Sequence, residues 1–210
     1  MASRQKIYKK MTKQVYATKT NMSQAFTEGK RIPLTVLTVD PHVVISQKTI
    51  DIDGYQASVL GIGTKKKANK PLAGYLKKAG IGINPRIIRE VSTEELQNYN
   101  LAEILVPGSI INVTALSKGK GTSGVMKRWG MHGGPRTHGQ SDRARAPGSI
   151  GRGTTPGRVV KGKHMPGRMG GENVTIENLK IHSFDAQTGI LQITGAIPGC
   201  RGAVTKITIL

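Results

Sequence analysis

The sequence predicts a mainly β protein with a minor α component, whose strands close into a small barrel or sandwich, with a long basic loop extending from between two of them. Three observations predict it. Seven short runs rich in Val, Ile and Thr recur with turn residues between them, as small closed β architectures require. Only two stretches carry helical periodicity, and both fall between strands in residues 64–104. Residues 117–171 hold 15 Gly, 4 Pro and twelve Lys/Arg against one acid, Asp142, so they cannot bury enough apolar surface to offset their own ordering entropy.

Taken in order, residues 1–14 form a basic N-terminal extension, and residues 1–20 contain six Lys/Arg and no acid. No apolar stretch or small-residue cleavage site follows, which favours an RNA-contacting arm over a targeting sequence. Residues 15–210 read as one β domain. Its expected strands are Ile32–Val39, His42–Gln47, Tyr55–Gly61, Ile110–Leu116, Asn173–Ser183, Gly189–Ala196 and Ala203–Leu210. In the fifth of these the alternation Val174, Ile176 slips by one before Leu179, Ile181. Asp185-Ala-Gln-Thr-Gly189 is a hairpin loop with glycine last.

Within residues 64–104, Leu72, Tyr75, Leu76 and Ala79 stand at i, i+3, i+4 and i+7, with Pro71 in the first turn and Gly80 as a stop. Ser92-Thr-Glu-Glu95 has capping-box spacing and opens a second short helix running to Leu101. Lys65, Lys66, Lys67 and Lys70 lead into the first helix as a second basic patch.

Charge identifies the class of partner. The chain carries 32 Lys/Arg against 12 Asp/Glu, a formal +20 over 210 residues. The segment 117–171 holds +11 of this, and the other 155 residues hold +9 (20 basic against 11 acidic), so the charge is not confined to one tail. An internal basic segment of this length calls for an anionic partner, and nucleic acid fits. Aromatics at 4% are too few for a sheet that stacks single-stranded bases. Recognition by Arg, Lys and main-chain amides fits better, since bare glycine backbone approaches phosphates closely. Folded back on itself, the segment makes two arms that reach as far as ~90 Å when fully extended.

Other classes fail on particular residues. Gly119-Lys-Gly-Thr-Ser-Gly124 follows a strand and fits a dinucleotide-binding string, but Gly130, Gly133, Gly134 and Pro135 cut off the helix such a site needs. A P-loop fails because Val125 stands where its lysine belongs. His132, His138 and His164 are ringed by cations that oppose a divalent metal, so phosphate or ribose contacts are expected there. Trp129 either packs on the barrel at the root of the segment or stacks on a base. Cys200, the one cysteine, sits in a turn as a small structural residue, which leaves no disulfide or zinc framework. No apolar run reaches the ~18 residues of a membrane helix, and no general acid/base pair is visible. No enzyme, cofactor, metal or small-molecule substrate is therefore expected.

Ser117-Lys-Gly-Lys-Gly-Thr-Ser-Gly-Val-Met-Lys-Arg-Trp129, Thr137-His-Gly139, Arg145-Ala-Pro-Gly-Ser-Ile-Gly151, Thr155-Pro-Gly-Arg-Val159, Lys161-Gly-Lys-His-Met-Pro-Gly-Arg-Met-Gly170 and Gly195-Ala-Ile-Pro-Gly199 occur in series. With them, from about Val15 to the C-terminus, the chain resembles the universal large-subunit ribosomal protein L-three family, bacterial branch; Lys70-Pro71, Gly74 and Lys78-Ala-Gly80 are similar to its helical insertion. The resemblance implies a six-stranded barrel of the translation-factor type, and a loop that follows large-subunit (23S-type) ribosomal RNA toward the peptidyl-transferase centre. It implies a primary rRNA binder acting early in assembly, with neighbouring ribosomal proteins as further partners and a cytoplasmic (or organellar) ribosome as its location. A free-standing RNA chaperone or nucleic-acid-compacting protein is the alternative.

Carried over residue by residue, the tip of the loop is Gly148, Ser149, Ile150, Gly151, Arg152, Gly153, Thr154, Thr155 and Pro156. The expected rRNA contacts are Lys118, Lys120, Lys127, Arg128, Trp129, Arg136, His138, Arg143, Arg145, Arg152, Arg158, Lys161, Lys163, His164 and Arg168. The chain departs from the family at 17–23, where its opening is less glycine-rich. It departs again at Thr154, where many bacterial members carry a glutamine methylated on its side chain.

Overall fold

The computed structural model of the chain describes residues 13–27, 29–92 and 101–210. In order, they form β1 (Lys13–Thr27), β2 (Lys30–Val39), β3 (His42–Lys48), α1 (Ile50–Asp53), β4 (Ala57–Ile62), α2 (Lys70–Lys78), β5 (Ile87–Val91), α3 (Leu101–Ile104), β6 (Ile110–Leu116), β7 (Thr122–Ser123), α4 (Val125–Trp129), β8 (Gly167–Arg168), β9 (Asn173–Asp185), β10 (Ile190–Thr194) and β11 (Val204–Ile209). The expected mainly β character holds. Contacts divide the chain into two units, residues 1–116 with 173–210, and Ser117–Glu172.

In the first unit, antiparallel pairing runs β1-β11-β6-β9-β10-β2 and returns to β1, which closes the sheet. Closure removes free edges that would otherwise expose unpaired backbone groups. Inward positions alternate: Ile111, Val113 and Ala115 of β6 are buried, as are Leu191 and Ile193 of β10. They join Val15, Leu37, Ile181, Ile197 and Ile207 in one core, capped by Ile104 and Leu105.

The slip in the β9 alternation has a structural cause. Asn178 takes a left-handed φ of 60°, and the pairing register shifts between Ile111 and Val113 on the facing strand. The displaced Asn178 N–H is taken up by the Asn112 side-chain oxygen at 3.1 Å. The bulge returns Leu179 and Ile181 to the core face, so an apparent defect of pattern is what keeps the strand amphipathic. The Asp185–Gly189 loop forms as expected. Asp185 accepts from the Gln187 N–H (3.0 Å) and the Thr188 hydroxyl (2.6 Å), and these bonds hold its carboxyl below the usual range.

A second, three-stranded sheet, β3-β4-β5, lies between β2 and β6 in the chain. All six residues of β4 are buried, as befits a central strand. Leu76 of α2, with Leu72 and Ala79, packs on Ile45 and Val59 of this sheet. Tyr16 of β1 joins Leu60, Ile62 and Val91 in a further cluster.

Three expectations need amendment. β1 replaces part of the supposed arm; only its Val15, Tyr16 and Ala17 are buried, and the rest is polar or, like Met22 and Phe26, apolar but exposed, so no alternation marks it. The strand expected from Tyr55 begins at Ala57, because Ile50–Asp53 make one helical turn ended by Gly54 at φ 77°. The insertion 64–104 also contains a strand, β5. The capping box at 92–95 falls largely outside the described residues, as do residues 1–12; α3 starts at Leu101, where the expected helix ends.

His42 connects these sheets chemically. Its Nε2 accepts the Tyr16 backbone N–H at 3.2 Å, which requires an unprotonated nitrogen, and burial lowers its pKa below 6.5. The unfolded chain therefore binds the proton more readily, and this contribution is present above about pH 6.5 and lost as pH falls through and below it. The thermal midpoint should drop between pH 7.5 and 5.5 by more in the wild-type protein than in His42→Gln; equal drops would remove His42 from the account.

Candidate nucleic-acid interface

The second unit, Ser117–Glu172, is organised from its two ends inward. The Ser117 N–H donates to Glu172 O at 2.9 Å, Lys120 to Met169 O at 2.9 Å, and Met169 to Gly121 O at 3.0 Å. β7 and β8 continue this ladder, pairing Thr122 with Arg168 and Ser123 with Gly167. The arms approach so closely that two positions admit no side chain. A Cβ on Gly170, at φ 71°, would lie 2.1 Å from Lys118 O. Further along, a Cβ on Gly133, at φ 78°, would lie 2.3 Å from Ala144 O, the acceptor of the Gly134 N–H at 3.0 Å. Glycine here is a packing requirement as well as a conformational one.

Beyond β7 the chain makes one helical turn, α4, which the glycine-rich sequence did not lead us to expect. Gly130 ends it in the left-handed conformation, bonding back to Met126 O at 3.0 Å. So short a turn does not revive the dinucleotide-binding string before it. What α4 does is present Arg128 and Trp129 to one acceptor: Met165 O receives Arg128 Nη1 at 3.0 Å and Trp129 Nε1 at 2.9 Å. The indole stacks on His164 with centroids 4.0 Å apart and planes within 2°, and the Arg128 guanidinium lies 4.9 Å from the indole centroid. Trp129 finds its partners within the segment, while 43% of its surface stays exposed. No spacing in the sequence pairs Trp129 with His164, since 35 residues separate them.

The predicted contact residues then sort by exposure. Lys118, Lys120, Lys127, Arg136, Arg143, Arg145, Arg152, Arg158, Lys161, Lys163 and Arg168 are exposed, and Arg128 is half-buried. Among the described residues none of these cations is in an ion pair; Lys48–Glu90, at 2.8 Å on the three-stranded sheet, is an ion pair of the other unit. His138 is exposed at φ 59°, on the turn before Gly139. The tip residues Ser149 to Arg152 and Pro156 are brought together with Arg158, Val160 and Lys163 around one open hollow, where the Ser149 hydroxyl donates to Gly151 O at 2.9 Å. Gly148 and Arg143 line a second hollow with His132 to Gly134. Gly153, Thr154 and Thr155 are exposed. Arg145 and Arg136 line neither.

The unit thus presents an exposed backbone, fixed by glycine contacts, whose cations form no ion pair among the described residues. Residues 87–196 match the model of the family described as Ribosomal protein L3. The chain is 45% identical over 198 residues to the large ribosomal subunit protein uL3 of Herpetosiphon aurantiacus, covering 90% of this chain and 92% of that one. Against the same-named protein of Thermotoga maritima it is 40% identical over 201 residues (93% and 96% covered). Against that of Cutibacterium acnes it is 43% identical over 203 residues (93% and 91%). The chain belongs to the ribosomal protein L3 family, a family of ribosomal proteins and not of enzymes. No helix among the described residues is long and apolar enough to cross a membrane.

Gly170→Ala should open the base of this unit. A left-handed alanine costs about 1–2 kcal/mol before any clash. Hydrogen exchange at the Lys120 and Met169 amides should accelerate by about tenfold or more, while amides of β10 keep their rates. Unchanged exchange at Lys120 and Met169 would mean that the close approach does not hold the arms together.

Proposed function

We propose that this chain is a structural constituent of the large ribosomal subunit, and that it binds large-subunit rRNA directly and early in assembly. We take its closed sheet to be a barrel of the translation-factor type that serves as the anchor, and residues 117–171 to be the element that follows RNA. The observation that carries the proposal is the set of exposed, unpaired cations on a backbone held in shape by Gly133 and Gly170. Such a surface suits phosphate contacts, which position a protein without reading sequence. Arg143, Arg145 and Arg158 supply planar forks that meet phosphate oxygens two at a time, whereas Lys118, Lys120, Lys161 and Lys163 act as point charges. Residues Gly148–Pro156 carry one cation, Arg152, so their backbone shape matters more than their charge; family membership supports a place for this tip near the peptidyl-transferase centre. Neighbouring ribosomal proteins are its other partners, and the cytoplasmic ribosome its location.

The test is equilibrium binding of the full chain to transcribed large-subunit rRNA across a salt series. With roughly 6–10 phosphates neutralised, affinity should fall by about 10³–10⁵ between 50 and 200 mM salt. Arg143→Glu, Arg145→Glu and Arg158→Glu together should weaken binding and flatten the slope. A wild-type slope near zero would count against phosphate-dominated binding.

A further inference from the structure

The helix α2 holds a glycine that the fold does not need. Gly74 is in the middle of its nine residues, in helical conformation, with no described atom within 4 Å of where a Cβ would be. Neither a left-handed φ nor a close neighbour excludes a side chain there, unlike at Gly133 and Gly170. An interior helical glycine is less favourable than alanine, because it loses more backbone freedom on folding. Something other than the isolated chain's stability therefore accounts for it.

Its position says what. Leu72, Leu76 and Ala79 turn one side of α2 onto the three-stranded sheet. At 100° per residue, Lys70, Gly74 and Lys77 share the opposite side, one turn apart, so the two lysines are about 10 Å apart along the axis with bare backbone between them. Both are exposed, as are Lys65, Lys66, Lys67 and Lys78. Residues 64–82 contain six lysines and no acid, and the first turn of α2, where the helix dipole favours an acid, has none. The lysines repel one another and Lys70 opposes the dipole, whereas Lys77 and Lys78 in the last turn complement it; what is left uncompensated is the net positive charge of this face. The Lys65 N–H, bonded to Asn84 O at 2.8 Å, fixes the approach to the helix.

We propose that this face of α2 is a second RNA-docking site, separate in sequence from residues 117–171, across which a sugar–phosphate strand passes over Gly74 between Lys70 and Lys77. The inference rests on the rRNA-binding reading above. No arginine stands among these lysines, and the one aromatic of α2, the exposed Tyr75, is tied through its hydroxyl to Ser46 at 2.8 Å, so the contact is to backbone, not to base edges. The absent side chain lets the strand approach the helix surface itself. A phosphate over Gly74 is about 6 Å along the axis from Lys70 and about 4.5 Å from Lys77, within reach of both long side chains.

The experiment uses the full chain and transcribed large-subunit rRNA, with Gly74→Ala, Gly74→Leu and Lys70→Gln/Lys77→Gln. Both glycine variants should raise the thermal midpoint of the free protein, by about 2–4 °C for alanine. Gly74→Leu should nonetheless weaken rRNA binding by about tenfold or more, and the double glutamine variant should reduce the slope of log affinity against log salt by about 2. Stabilised fold with weakened RNA binding is the signature of a glycine kept for a ligand. Unaltered affinity and slope in Gly74→Leu and in the glutamine variant, with wild-type binding still steeply salt-dependent, would overturn this site and leave the rRNA-binding reading intact. Loss of a neighbouring protein from the subunit, with rRNA binding unaltered, would overturn it equally in favour of a protein contact. A wild-type chain without salt-dependent rRNA binding would instead sink the reading on which it rests.

Discussion

Unbalanced positive charge on an exposed backbone is the constraint on which the rest of this structure depends. Residues 117–171 carry +11, and their single acid, Asp142, forms no ion pair among the described residues. Two unit charges about 7 Å apart repel by roughly 0.6 kcal/mol in water, and by more as the dielectric falls. A segment so charged gains little by collapsing on itself. It must hold its shape by main-chain bonds and close backbone contact, which is how Gly170 against Lys118 and Gly133 against Ala144 are built. Its few larger side chains cluster where they are held: Arg128, Trp129 and His164 around the Met165 carbonyl.

The other unit supplies what this one lacks. The closed sheet buries a conventional aliphatic core of Val, Leu and Ile, so its stability does not require a partner. Its ladder from β6 and into β9 delivers both ends of the insertion, since Leu116 pairs with Asn173 and the Ser117–Glu172 pair follows directly. The ends of a 55-residue excursion are thus brought together by strand pairing, which removes most of the loop-closure entropy the segment would otherwise carry. Division of labour follows from composition: apolar alternation folds one unit, and close glycine contacts under a positively charged surface shape the other.

Much of this was legible in the residues, and the rest was not for specific reasons. β6 was bounded correctly because Ile111, Val113 and Ala115 alternate cleanly. The β9 bulge was visible as a slipped pattern, though its agent, Asn178 at positive φ, was not. β1 is not legible because its outer half is exposed and mixes polar residues with Met22 and Phe26 without burying either, and its identity as a strand comes from pairing with β2 and β11. In the insertion, charge and glycine content announced the chemistry, but not which glycines are obligatory. That depends on contacts between residues 118 and 170, and between 133 and 144, which no local rule anticipates. The Trp129–His164 stack is of the same kind.

Residue-by-residue lysine acetylation, read by mass spectrometry, tests the central claim most directly. The free chain and the chain within the large subunit are modified in parallel, with a third sample in which the subunit's RNA has been digested. Lys118, Lys120, Lys127, Lys161 and Lys163 should be reactive in the free chain, protected in the subunit, and reactive again after ribonuclease treatment. If these five lysines react equally in the free chain and the intact subunit, their charge is not neutralised by RNA, and the account of this segment is wrong.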